Sequence, residues 1–432
     1  MTSNITQLAG KQPEATAAAQ LFENWFDPIE AAVRDRVHEF IQSLIEEELN
    51  EALSRTRYVR RARSCSGSQL ETPDGKGAGD APVCGHRHGH RSRSLMGTFG
   101  QVEIGVPRAR IDTADGKTTE WHSKVLPAYR RRTKAADALI AGAYLAGTNT
   151  RRVRRALAAL FGGAVSKDTV SRVWRKVKTD WEAWNRRPLA DEPIVRLILD
   201  GTVVRVRLDK KATTICLLVV LGVREDGQKV LLAVKNMGGE TAQAWRVVLD
   251  DLIKRGLRKP EFLVVDGGSG LERALAELWS DVPTQRCTVH KHRNLLAHAP
   301  ERLRDEVTED YNNMIYAKSA AEIEKKRKAF LRKWRLRCKA VADCLEEAGD
   351  RLFTFTRLPV DQWKSARTTN AIERLHEEFK RRIKTQTVLP SAETAAMMFW
   401  ALLASGQIAM RKIDGWKTLA VKATDLPIDL AA

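Results

Sequence analysis

Several common protein classes leave marks that this chain lacks. No apolar run in its 432 residues approaches the roughly 20 needed to span a bilayer as a helix. Its opening residues, MTSNITQLAGKQPEAT, have no charged segment leading into an apolar one, so a secretory leader is not expected. Cysteine is scarce and scattered, six residues in all, which argues against a disulfide framework and for a reducing, cytoplasmic setting. Internal repeats are absent, which excludes a solenoid. Acidic residues are in deficit: Asp+Glu 54 against Lys+Arg 73 leaves a net charge of +19 and a pI near 9.8. Such an excess favours a polyanionic partner, nucleic acid ahead of a membrane surface; the alternative is a basic surface that binds nothing. A hydrophobic content of 43% is that of an ordinary globular protein, and the length exceeds one core, predicting about two to four domains.

Residues 1–18 read as a loose arm. From Leu21 to Leu53 apolar residues recur at helical spacing (Ile29, Val33, Val37, Phe40, Ile41, Leu44, Ile45, Leu49), predicting an amphipathic helix that packs internally or pairs with a second copy. Residues 58–93 are rich in Arg, Gly and Ser, with a loop from Ser64 to Pro82. Cys65, Cys84, His86, His88 and His90 invite a zinc reading, but the cysteines lack the close pairing of zinc sites, so a basic, turn-rich loop is expected. Two short strands joined at Gly97 to Gly100 follow. Arg130, Arg131 and Arg132 open a helical region. Helices over Ala135 to Leu145 and Thr150 to Leu160, the Gly162-Gly163 turn, and a helix capped by Ser166 are reminiscent of a helix-turn-helix. Its charge favours DNA contact through Arg151, Arg152, Arg154, Arg155, Arg172 and Arg175; the alternative is a plain bundle with a solvated basic face.

After Pro188 and Pro193 the pattern changes to strands over Val195 to Leu208, Thr213 to Arg224 and Lys229 to Lys235. A helix (Thr241 to Arg255), a strand (Phe262 to Val265), a helix (Leu271 to Trp279) and a strand (Thr284 to Cys287) complete the order of a ribonuclease-H-like domain. Helices are then predicted over Leu295 to Val307, Ala320 to Lys339 and Val341 to Ala348, from near Thr369, and over Ala395 to Leu403 behind Ser391. The expected division is 1–57, 58–128, 129–190, 191–294, 295–366, 367–405 and 406–432.

Asp200 and Asp266 each follow an apolar run, Leu-Ile-Leu and Leu-Val-Val, and each precede glycine. Asp-Gly also favours tight turns, and Asp226-Gly227, between polar Glu225 and Gln228, is one. The other two emerge from core strands, where a charge requires a partner and a divalent cation supplies one. Two-metal phosphodiester chemistry needs a further acidic residue. Glu261, Glu272, Glu277, Asp281, Asp361, Glu373, Glu377 and Glu378 are all candidates; Glu373 suits best, because its helix also presents Arg374, Lys380, Arg381 and Arg382 to phosphates.

Together LILDGT, FLVVDGG, QRCTVHKHRNLL and TTNAIERLHEEFKRR resemble the DDE transposases of bacterial insertion sequences in the Mutator superfamily. The likeness runs from EEELNEALSRTRY through RSRSLMGTFGQVEIGVPR to the final helix. It implies an α/β ribonuclease-H-like catalytic domain with a helical insertion, preceded by mainly helical DNA-binding domains. It also implies a triad of Asp200, Asp266 and Glu373 holding two Mg2+ ions, with Mn2+ able to substitute. The family's Cys-x-x-His motif is matched by Cys287 and His290, implying a site-organising role without zinc, while Lys291 and Arg293 join the expected DNA contacts. Two departures stand out: His86 and His90 occupy positions where relatives carry aromatics, and Thr288 one where tryptophan is common. The implied partners are terminal inverted repeats, target DNA and a second copy or larger assembly of the chain. The rival readings are a non-catalytic DNA-binding protein derived from a transposase, and a ribonuclease-H-like nuclease without strand transfer.

Overall fold

A computed structural model describes residues 28–53, 85–113, 117–148, 150–161, 164–208, 211–385 and 391–424. The expected N-terminal arm, the Ser64 to Pro82 loop, Cys65, Cys84 and the Gly162-Gly163 turn lie outside them. The chain forms two compact units, one running to Ala143 with Thr150–Val173, the other holding Tyr144–Asn149 and Trp174 onward.

In the first unit, helix α1 (Pro28–Ala52) lays Ile45 and Leu49, both fully buried, on a sheet of order β1-β2-β3. The strands are β1 (Gly85–Gly97), β2 (Gly100–Asp112) and β3 (Thr118–Glu120). Leu95, Val102 and Ile104 meet the helix, as alternation along half-buried strands requires. The GHRHGH segment, expected in a loop, is strand: its backbone pairs with β2, and a bulge between Arg87 and His90 falls at Gly89, whose φ is 113°. Arg87 bonds Glu46 and Asn50 of α1, both at 2.6 Å. Helices α2 (Lys134–Leu145), α3 (Thr150–Ala156), α4 (Ala158–Phe161) and α5 (Lys167–Arg186) follow, with the Ser166 hydroxyl accepting the Thr169 N–H at 3.1 Å as an N-cap.

The second unit is built on five strands in the order β6-β5-β4-β7-β8: β4 (Ile194–Leu208), β5 (Lys211–Arg224), β6 (Lys229–Met237), β7 (Phe262–Val265) and β8 (Thr284–Arg286). The first three are antiparallel neighbours, joined between β5 and β6 at Gly227 (φ 83°), while β4, β7 and β8 run parallel. Leu197, Leu199, Leu218, Val220 and Leu232 pack against α6 (Ala242–Lys254) and α7 (Ser269–Leu278) through Trp245, Leu249 and Leu271. On this scale of burial, truncating a core aromatic such as Trp245 costs about 3–5 kcal/mol. Helix α8 (Thr288–His298) stops before Pro300, with Ala299 extended at ψ 132°, and α9 (Arg304–Ile315) follows. The single helix predicted over Leu295 to Val307 is therefore two, because proline disfavours the helical region in the residue before it. Next come α10 (Ala320–Arg337), α11 (Lys339–Ala348) and α12 (Trp363–Ala366). Helix α13 (Asn370–Thr385) then packs on β4, and α14 (Ala392–Ala404) on β6.

Glycine at the start of α7 is a packing requirement. A Cβ on Gly270 would lie 2.0 Å from the Glu240 carbonyl oxygen, a backbone atom. Gly270→Ala is expected to lower the stability of this unit by about 1–3 kcal/mol, read as a shifted urea midpoint.

Candidate active site

Strand register brings the aspartates together. Leu199 pairs with Val265 across parallel β4 and β7, so Asp200 and Asp266 come next at neighbouring positions. Asp200 is only 4% exposed. Asp266 is half-buried; its Oδ1 accepts the Gly268 N–H at 3.0 Å, and Gly267, at φ 93°, turns the chain into α7. Alongside, the Cys287 N–H donates to the Val265 carbonyl at 2.7 Å, and α8 starts at the next residue, setting His290 close to Cys287.

Helix α13 brings Glu373 to the cysteine–histidine pair. Glu373 Oε1 lies 3.5 Å from His290 Nδ1, and its Oε2 accepts from Arg293 at 3.0 Å. Fully buried Thr369 links the group: its N–H donates to Cys287 Sγ at 3.4 Å, its hydroxyl donates to Glu373 Oε1 at 3.4 Å, and that hydroxyl oxygen is also 3.4 Å from His290 Nδ1. Among the described residues, Cys287, His290 and Glu373 form the only set of three metal-ligand side chains whose donor atoms lie within 4.8 Å of one another. Asp200 and Asp266 stand outside that set. One further side chain reaches Asp200: buried His376 of α13, with Nδ1 3.7 Å from Oδ2.

The electrostatics record crowded anions. Burial, then the charges of Asp266, Glu373 and Cys287, push the Asp200 carboxyl up to about 8, against the pull of His290. Burial and Asp266 also raise Glu240, which sits over Gly201, where a Cβ would meet its carboxylate at 2.3 Å. The hydrogen bond to Cys287 carries His290 up to about 9 despite burial, which opposes it. Burial pushes the Cys287 thiol up, but hydrogen bonds from His290 and Thr369 outweigh it, leaving the thiol below its ordinary range. His376 is driven down to about 3 by burial first and then by Lys380 and His290, so it is neutral. The carboxylates repel one another at the end of a core strand, and hard oxygen donors of this kind fit a divalent cation.

The other acidic candidates are engaged elsewhere or face solvent. Glu261 pairs with Lys422 at 2.8 Å, Glu272 with Arg286 at 3.2 Å, Glu277 with Arg246 at 3.0 Å and Glu378 with Arg381 at 2.8 Å. Asp281 pairs with Lys259, Asp361 accepts the Thr418 hydroxyl at 2.7 Å, and Glu377 is exposed. Among the basic residues, Arg130, Arg131, Arg151, Arg152, Arg154, Arg155, Arg172, Arg175, Arg374, Lys380 and Arg381 are exposed, while Arg382 is half-buried. Arg132 is half-buried against Asp137 at 2.6 Å. The expectation for Lys291 needs correction: it is 3% exposed, and its ammonium donates to Glu347 at 2.6 Å and to the Cys344 carbonyl at 3.1 Å, so it does not face a phosphate. Thr288, where an aromatic was in question, is buried with its hydroxyl donating to the Arg367 carbonyl at 3.1 Å.

Three residues of the site escaped the sequence reading: Glu240, Thr369 and His376. Only His376 left a signal, lying one helical turn beyond Glu373 on the same face. Because the folded protein holds the Asp200 proton from its ordinary 3.8 up to about 8, while the unfolded chain releases it at the ordinary value, stability is lost as pH rises through that window. Asp200→Asn is expected to melt above the metal-free parent by a few degrees at pH 8, the difference vanishing towards pH 4, as followed by circular dichroism.

Comparison with known proteins shows the family of the chain. The profile described as "Transposase, Mutator family" matches residues 11–409. The transposase for insertion sequence element ISRM5 of Rhizobium meliloti (strain 1021) is 28% identical over 398 residues, covering 92% of each chain. That for IS905 of Lactococcus lactis subsp. lactis is 27% identical over 307 residues, 71% of this chain and 76% of the relative. The transposase for IS256 in transposon Tn4001 of Staphylococcus aureus is 26% identical over 384 residues, 87% of this chain and 91% of the relative. With a family match spanning almost all of its length, the chain belongs to the Mutator family of transposases.

Proposed function

We propose that this transposase binds the terminal inverted repeats of its element and carries out DNA strand cleavage and strand transfer at Asp200, Asp266 and Glu373. The observation that carries the reading is the register of β4 and β7, which sets two carboxylates side by side at the ends of parallel core strands, below a helix that offers a third. The strand order β6-β5-β4-β7-β8, with helices on both faces, supports a ribonuclease-H-like domain in which 295–366 is a helical insertion. Two Mg2+ ions, or Mn2+ in their place, would be held by those carboxylates and would supply activation of the attacking oxygen and stabilisation of the leaving one.

The chain's own residues do the rest. Asp200 is fixed by its strand and Asp266 by its turn, so neither must reorganise to present oxygen. Glu373 is held by Arg293 and His290, and it turns towards the aspartates by exchanging those partners. Cys287 and His290 organise that exchange. Exposed Arg and Lys side chains on α3, α5 and α13 hold phosphates, and a dimer or larger assembly brings two element ends together.

Labelled terminal-repeat DNA, target DNA and Mg2+ test the reading directly. Asp200→Asn, Asp266→Asn and Glu373→Gln are each expected to reduce strand joining by about 10³-fold or more while end binding persists; joining unchanged in all three would sink it. For binding, Arg151→Ala with Arg154→Ala is expected to lower the salt dependence by about 0.9 for each phosphate no longer neutralised, whereas Lys291→Met leaves that slope as it was.

A further inference from the structure

The geometry points to a second kind of metal site in this unit: Cys287, His290 and Glu373 form a three-ligand pocket for a thiophilic transition ion of the Zn2+ class, which shares Glu373 with the proposed carboxylate site for Mg2+. A Cys-x-x-His pair supplies two ligands, and nothing in the sequence nominates another. The fold does, by carrying α13 over the start of α8.

The donor set suits such an ion. Thiolate, imidazole and carboxylate together select zinc or cobalt, whereas Mg2+ prefers oxygen alone. The spacing also suits it. A tetrahedral ion with bonds of about 2.0–2.1 Å to nitrogen and oxygen separates those donors by roughly 3.3 Å. Glu373 Oε1 and His290 Nδ1 are 3.5 Å apart, and all three donor atoms fall within 4.8 Å.

Outer contacts of the kind that orient metal ligands are in place as well. The Thr369 N–H reaches Cys287 Sγ at 3.4 Å, and its hydroxyl touches both other donors. Arg293 takes Glu373 Oε2 at 3.0 Å, leaving Oε1 turned towards the cysteine and histidine. Cys287 is buried, but His290 and Glu373 are part-exposed and provide the way in, with solvent as the remaining ligand.

Capture of the ion needs no DNA, so it stands apart from the proposed strand chemistry. Its consequence rests on that chemistry: an ion here would hold Glu373 away from Asp200 and Asp266, and Zn2+ would suppress Mg2+-dependent joining.

The full-length chain, freed of metal and titrated with Co2+, provides the test. The expected result is a thiolate-to-cobalt charge-transfer band in the near ultraviolet that Zn2+ removes and excess Mg2+ leaves intact. Cys287→Ser should abolish the band. Glu373→Gln, which keeps the size of a part-exposed side chain, should weaken Co2+ binding at least about tenfold, and Thr369→Val similarly. No band, a band that survives Cys287→Ser, or an affinity unchanged in both His290→Gln and Glu373→Gln would overturn the assignment. Because absorbance is read without DNA, failure of the strand-joining assay leaves this result standing, and the converse also holds.

Discussion

A carboxylate buried at the end of an apolar strand is the constraint on which this unit depends. Asp200 is almost without solvent, Asp266 adds like charge from the neighbouring strand, and neutral His376 offers no cation to balance them. Left ionised, such a group is costly, and the metal-free protein meets the cost by retaining a proton. The nearby positive charge is placed instead on His290, which is held protonated beside the Cys287 sulfur. Anions and cations are thus sorted: the strand-end aspartates on one side, the cysteine–histidine pair with Glu373 and Arg293 on the other. Glu373 belongs to both groups, since its charge raises Asp200 while its oxygens contact His290 and Arg293.

The helices and turns of 339–357 are tied to β8 and α8 by polar bonds. Gln285 of β8 donates to the Leu352 carbonyl at 2.7 Å and accepts the Phe355 N–H at 2.7 Å. Arg286 and Lys291 converge on Glu347 of α11, at 2.8 and 2.6 Å, and the hydrogen bond from Arg286, with that from Lys291, holds its carboxyl down to about 2 against burial. One basic residue of this motif is thereby spent on architecture: Lys291 fastens α8 to α11, while Arg293, two residues on, stays exposed. The alternation follows from the helix, which turns successive side chains about its axis.

Much of the strand framework was legible. Apolar runs ending at Asp200 and Asp266 mark strands buried on both faces, and the polar Glu225-Asp226-Gly227 segment marks the turn between β5 and β6. Legibility failed where local pattern and backbone chemistry disagree. A single helix was expected through Pro300, yet the proline ended it, and histidine-rich GHRHGH lacks the usual strand residues but pairs with β2 on either side of its bulge.

Local order of apolar and polar residues was enough to mark most of the strands and helices, and to show that two aspartates leave core strands. The family followed from four ordered motifs in the same residues. Only the tertiary structure decided that Glu373 meets His290 and Arg293, that Lys291 is buried while Arg293 is not, and that Thr369, His376 and Glu240 lie beside these residues. Those outcomes depend on contacts between residues far apart in the chain, where a helix crossing a sheet selects one face. Sequence spacing alone carries no information about which face that is.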